Sequence, residues 1–112
     1  MVAQYVPDRG DIIWLNFSPQ VGHEQAGVRP ALVVSPQSYH EKSGLMLACP
    51  ITSKIKGYPF EVRVKTKKLD GAVLTDQIKS LDWRARKPEF GERVSAEIVR
   101  RVQALLLSLL NS

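Results

Sequence analysis

The chain of 112 residues has one cysteine, Cys49, so an intrachain disulfide framework is excluded and a reducing compartment is the expected setting. Two histidines, His23 and His40, join it, and this set is too small to close a structural zinc site. No stretch approaches the ~18–20 apolar residues of a membrane span. The most apolar run, residues 104–110, is short and broken by Ser108. Asp8, Arg9 and Asp11 stand where a secretory leader would carry its apolar core, so no signal peptide is expected. Aromatic residues are only 7% of the chain, so each is needed to fill an interior. Internal repeats and low-complexity tracts are absent.

What is present suffices for one small fold. Hydrophobic residues make up 44% and charged residues 24%, an ordinary globular balance that excludes wholesale disorder. The length predicts a single domain over residues 1–112. A domain of this size buries roughly two-thirds of its unfolded surface, leaving little room for a deep cleft.

Acidic residues are outnumbered, 11 against 16 Lys and Arg, for a net charge of +5. The first fifty residues are net −1 and the remainder net +6. Lys54, Lys56, Arg63, Lys65, Lys67 and Lys68 form one basic cluster, and Lys79, Arg84, Arg86 and Lys87 form another. Such clusters are either solvated faces that keep a protein soluble or surfaces for a polyanion.

Short apolar runs bounded by turn residues predict strands over residues 12–17, 31–35, 45–52, 60–65, 71–76 and 78–83. The run 31–35 is apolar on both faces and is expected to be central. In 60–65 the alternation is strict: Phe60, Val62 and Val64 point in, and Glu61, Arg63 and Lys65 point out. Many short strands suggest a small barrel or sandwich. A helix over about 95–110 is marked by Ser95 as N-cap, Glu97 in the first turn, and apolar residues from Ile98 to Leu110 spaced by three and four. Leu107 falls outside that stripe and favours a second apolar contact, such as another subunit. A shorter helix is expected over 37–42. The loop 18–28 holds His23, Glu24 and two glycines, and loops of that length are usually functional or mobile.

Five segments in register carry a resemblance. Residues 10–14 (Gly-Asp-Ile-Ile-Trp), 22–31 (Gly-His-Glu-Gln-Ala-Gly-Val-Arg-Pro-Ala), 50–53 (Pro-Ile-Thr-Ser), 56–62 (Lys-Gly-Tyr-Pro-Phe-Glu-Val) and 76–86 (Asp-Gln-Ile-Lys-Ser-Leu-Asp-Trp-Arg-Ala-Arg) resemble the MazF/PemK toxin family, its MazF branch most. The resemblance runs from about Tyr5 to the C-terminal helix. It implies a mainly β fold with a C-terminal α-helix, an SH3-like twisted β-barrel assembled as a homodimer in the cytoplasm. It implies a type II toxin that cuts single-stranded RNA (an mRNA interferase). It also implies a cognate antitoxin with an acidic, disordered tail. A same-fold toxin that poisons DNA gyrase without cutting RNA is the alternative. Such poisons are expected to use Trp at the end of the helix, where this chain has Leu109-Leu110-Asn111-Ser112.

RNA cleavage needs neither metal nor cofactor when the 2′-hydroxyl is the nucleophile. The protein must align the attack, neutralise charge on phosphorus and help move protons. The resemblance places a catalytic arginine at Arg29, whose planar guanidinium suits two phosphate oxygens and is a poor base. It places a catalytic threonine at Thr52, whose hydroxyl can donate to a phosphate oxygen. Glu24, the carboxylate nearest Arg29 in sequence, is read as general base, as a partner orienting Arg29, or as a base-reading group. His23 ranks below these groups, and His40 is read as a surface loop residue. Lys56, Lys79, Arg84 and Arg86 are expected to follow the RNA backbone. Asn16, Ser53 and Gln77 are expected to read base edges, and Phe17 or Trp83 to stack a splayed base, although aromatics this scarce fill cores more often. Val28 stands where other members carry a polar residue or His, and residues 63–72 and 87–94 fit the family poorly.

Overall fold

The computed structural model describes residues 4–18 and 27–112. Most of the expected 18–28 loop, with His23 and Glu24, lies outside the described residues. The chain runs β1 (Asp11–Asn16), β2 (Val28–Val33), α1 (Gln37–Ser43), β3 (Leu45–Thr52), β4 (Glu61–Lys65), β5 (Asp70–Leu74), a 3-10 turn (Thr75–Gln77), β6 (Lys79–Asp82), α2 (Trp83–Arg86), β7 (Glu89–Arg93) and α3 (Ala96–Asn111). The strands form one antiparallel sheet in the order β4-β5-β3-β2-β1-β7, with β6 also paired to β3.

β3 spans most of the fold. Its first half pairs with β6 through Leu45–Asp82 to Ala48–Lys79, and its last two residues pair with β5. A strand shared in this way bends the sheet, and the curl is tied by Thr66 Oγ1 donating to Glu92 Oε2 at 2.8 Å between the β4–β5 hairpin and β7. The result is a curled half-barrel with a C-terminal helix.

Alternation along the strands puts a core on each face of the sheet. Ile12, Leu32, Cys49, Ile51, Val62, Val64 and Val73 pack under Val102, Leu105 and Leu106 of α3. Ile13, Leu15, Ala31, Val33, Met46 and Leu81 pack around Trp83 on the other side. β2 lies between β1 and β3 and is buried on both faces from Ala31 onward, as its doubly apolar run predicts. Ser95 caps α3 by accepting from the Ile98 amide. α1 closes on Gly44, which at φ 76° takes the left-handed conformation that favours glycine.

Three expectations change. The strand predicted to reach Trp83 stops at Asp82, whose carboxylate accepts from the Ala85 amide and starts α2, while Trp83 turns inward and donates Nε1–H to the His40 carbonyl at 2.9 Å. A further strand, β7, escaped the periodicity because Glu89-Phe90-Gly91-Glu92-Arg93 is charged and polar, the usual dress of an edge strand. It pairs with β1 alone, through a register shift between Ile12 and Ile13. His40 is fully buried rather than on a surface loop. Its Nδ1 donates to the Pro7 carbonyl at 2.6 Å, which fixes the tautomer, and its Nε2 accepts from Ser35 Oγ at 2.6 Å. Every buried polar atom there has a partner, so His40 pins the N-terminal segment to α1.

Candidate nucleic-acid interface

β2 and β3 pair through Ala31–Pro50, Leu32–Cys49 and Val33–Ala48. Carried two residues outward, that register aligns Arg29 with Thr52, on the sheet face shared by Ala31 and Pro50. Lys79 stands opposite Ala48 and therefore on that face too. The two residues therefore lie at the same rim of the half-barrel, where β2 starts and β3 ends, two positions beyond the last β2–β3 pair.

Thr52 is nearly buried, and its Oγ1 accepts from the Lys54 amide at 3.1 Å. That bond fixes the rotamer and leaves the hydroxyl proton to donate elsewhere. Its backbone is held from below by β5, where a Cβ on Gly71 would lie 2.6 Å from the Thr52 carbonyl oxygen. Glycine is required at that close approach.

Beside Thr52 opens a groove of about 420 Å³ lined by Thr52, Lys54, Lys56, Tyr58, Phe60, Glu61, Leu74, Asp76 and Gln77. Glu61 organises its rim, because one carboxylate oxygen accepts from the amides of Lys56 (3.2 Å) and Gly57 (3.0 Å). Tyr58 is exposed, with the Lys56 ammonium 5.8 Å from its ring centre. Asp76 is pushed above the usual carboxylate range by partial burial, reinforced by the charge of Glu61 and opposed by a backbone hydrogen bond. Burial, with the nearby Asp76 charge, pushes the Cys49 thiol up to about 12, so it is an inert core residue.

The other edge of the candidate site is the neck of the 18–28 loop. The Phe17 amide donates to the Gly27 carbonyl at 2.9 Å, and Ser18 Oγ accepts from the Gly27 amide at 3.1 Å. Asn16 Oδ1 accepts from the Ser18 amide, which leaves the Asn16 side-chain N–H groups as donors. Arg86 reaches across from α2, and its Nη1 donates to the Asn16 carbonyl at 2.6 Å. Leu15 pairs with Arg29 in β1–β2, so Arg86 and Asn16 stand one register position from the arginine.

The sequence-predicted residues therefore divide. Thr52, Lys56 and Gln77 line one groove, Arg29 and Lys79 lie outside its lining on the strands that flank β3, and exposed Ser53 follows Thr52 on the rim. Asn16 and Arg86 gather at the loop neck. Phe17 is corrected: it is buried in the core around Trp83 and offers no face to a base, and Trp83 is buried with it. Arg84 is placed elsewhere, because its Nη2 donates to the Glu41 carbonyl at 2.8 Å, at the C-terminal end of α1 and at the opposite end of β3 from Thr52. Glu24 lies outside the described residues. Sequence reasoning gave no role to Tyr58 or Asp76, and it named Lys54 only as part of a basic cluster. A signal for Asp76 was available, namely a lone acid directly before Gln77 in a turn between two short strands.

The fold class is a curled antiparallel half-barrel with a packed C-terminal helix and a groove, lined by two lysines and two acids, beside Thr52. Residues 8–110 match the family described as PemK-like, MazF-like toxin of type II toxin–antitoxin system, and the chain belongs to that family. It is 48% identical to the endoribonuclease toxin MazF of Escherichia coli K12 over 104 residues, covering 93% of this chain and 94% of that protein. The crystal structure of MazF from Deinococcus radiodurans superposes with a TM-score of 0.91 at 51% identity, covering 97% of this chain and all of that one. A MazE–MazF crystal structure from the same organism gives a TM-score of 0.86 at 51% identity, covering 96% and 98%. Among the described residues no helix is long and apolar enough to cross a membrane.

Proposed function

We propose that this toxin is an endoribonuclease that cuts single-stranded RNA within a short sequence, without metal, at the groove beside Arg29 and Thr52. The observation that supports the reading is the β2–β3 register, which continued outward brings the backbone of Arg29 opposite Thr52, at one end of a groove holding Lys54, Lys56, Glu61 and Asp76. The 2′-oxygen attacks phosphorus as the P–O5′ bond breaks, leaving a 2′,3′-cyclic phosphate and a 5′-hydroxyl. Arg29 neutralises charge on the phosphorane, and Thr52 donates to a non-bridging oxygen. The departing O5′ takes a proton from solvent water to become the 5′-hydroxyl, and the 2′-hydroxyl proton goes to a carboxylate. Asp76 suits that task because its affinity for protons is raised within reach of the groove. Glu24, five residues before Arg29 in the sequence, is the other candidate. Lys56 and Lys79 hold the RNA backbone, and Tyr58 takes the stacking role first assigned to Phe17.

The working form is a homodimer. A groove of about 710 Å³ runs between α3 and the sheet, lined by Val34, Leu47, Ile78, Leu106, Leu107 and Leu109 among others, and Leu107 and Leu110 are exposed. A second copy of this chain covers that apolar face. The partner that silences the toxin is an antitoxin of the MazE kind, with an acidic disordered tail suited to the basic surface, in the cytoplasm.

Long single-stranded RNA incubated with purified protein in EDTA is expected to show discrete cuts bearing 5′-hydroxyls. Arg29→Ala or Thr52→Ala should reduce the rate about 100-fold or more. Absence of cuts in EDTA, with arrest of DNA gyrase instead, would sink this reading and favour the gyrase-poison alternative.

A further inference from the structure

Away from the Arg29–Thr52 groove, a pocket of about 250 Å³ opens at the start of β1, lined by Arg9, Gly10, Arg93, Val94, Ala96, Val99 and Arg100. Three guanidinium groups come to it from three elements: the turn before β1, the end of β7 and the first turns of α3. No acidic side chain is among the lining residues. Asp11 binds one Arg93 nitrogen at 2.9 Å and Asp8 adjoins Arg9, so two carboxylates stand behind three cations and the lining itself is positive. The forks are only partly used. Arg9 spends Nε on the Val34 carbonyl, Arg93 spends Nη1 on Asp11, and Arg100 has no carboxylate at ion-pair distance among the described residues. Gly10, at φ 96°, leaves the floor open: a Cβ there would lie 3.8 Å from Arg93 Nη2 and 3.5 Å from Val99 Cγ2.

We propose that this pocket is a second anion site that binds a phosphate group. Phosphate is favoured over carboxylate because a tetrahedral anion has oxygens for three separate guanidinium forks, whereas a carboxylate has two oxygens in one plane. The volume holds one phosphate and a few waters at ~30 Å³ each. The pocket is about 17 Å from Arg29, taking the run along β1 from Gly10 to Leu15 at ~3.4 Å per residue. It is therefore separate from the reacting centre, and its phosphate binding does not depend on the cleavage reading. The phosphate comes either from an RNA strand continuing past the groove or from a free phosphate ester.

The full chain, labelled with nitrogen-15, is titrated with inorganic phosphate at constant ionic strength in chloride. The expected result is saturable shifts at Arg9, Gly10 and residues 93–100. Arg100→Gln should weaken that binding about tenfold, the loss of one charged hydrogen bond. Arg9→Lys, which keeps charge but loses the fork, should weaken it too, and Arg29→Ala should leave it unchanged. A second arm uses Arg29→Ala protein with a short and a longer oligonucleotide. If only the longer one moves the pocket signals, the source is RNA backbone. If neither does while inorganic phosphate saturates, the source is a free phosphate ester. Shifts that never saturate, or that survive Arg100→Gln unchanged, overturn the proposal. So does a glutamate-rich peptide that saturates the pocket where phosphate does not, since the ligand would then be an acidic protein segment.

Discussion

Single residues fix the candidate site through contacts that leave no slack. Gly71 touches no substrate, yet a Cβ there would collide with the Thr52 carbonyl oxygen at 2.6 Å and press on Ile51 Cγ2 at 3.0 Å. The Gly71→Ala variant is expected to lose about 1–3 kcal/mol in urea unfolding. It should also lose about 100-fold in kcat for RNA cleavage, because a displacement near 1 Å suffices for that. Full activity in a destabilised variant would contradict the claim that β5 positions Thr52. Asp76 offers a different signature. Burial raises its carboxyl pKa, so the folded protein holds that proton more tightly than the unfolded chain does. Its charge therefore works against folding once pH rises through the raised value, and Asp76→Asn should leave stability at neutral pH equal or slightly higher. If Asp76 is the base, cleavage by the parent protein rises with pH through that same range. Asp76→Asn should abolish this acidic limb and cost at least about 100-fold in rate, while Glu24→Gln retains it. The reverse pattern in pH–rate profiles would move the base to Glu24.

At the scale of elements, α2 and the exit of β1 act as one clamp. Arg86 Nη1 donates to the Asn16 carbonyl at 2.6 Å, where the chain leaves β1 for the loop preceding Arg29. Arg86→Ala should cost about 1 kcal/mol and speed hydrogen exchange of the Phe17 amide, which closes the loop neck against Gly27. Arg86→Lys should fail to restore protection if the fork is a tether, and should restore it if only charge matters. Elements of this kind also mark what the sequence could reveal. Period-two and helical patterns located β1 to β6 and α3, because apolar alternation reports burial directly. β7 stayed hidden because an edge strand needs few apolar residues, and α2 because one capping carboxylate, Asp82, outweighed the β-propensity of Trp83. In the site, Arg29 and Thr52 were legible through resemblance, but their alignment is a property of register. The burial of Phe17 and the diversion of Arg84 to α1 depend on packing partners distant in sequence, which no local pattern records.

At the scale of the whole molecule, one residue links two grooves. Asp76 lines both the groove beside Thr52 and the apolar face of α3. A second copy seated on Leu107, Leu109 and Leu110 would exclude water from that shared lip, strengthening the burial that already raises the Asp76 pKa. If Asp76 is the base and the chain pairs through this face, association and proton transfer are coupled, and the dimer is expected to hold that proton more tightly than the monomer. Leu107→Glu with Leu110→Glu places two charges on the face while sparing the core, since both side chains are exposed in the single chain. Sedimentation is expected to show a monomer with an unchanged circular dichroism spectrum and a folded core. Cleavage should fall sharply, and whatever activity remains should have its acidic limb at lower pH than in the parent. A monomeric variant whose limb has not moved would separate the two surfaces and leave the Asp76 shift wholly a property of the single chain.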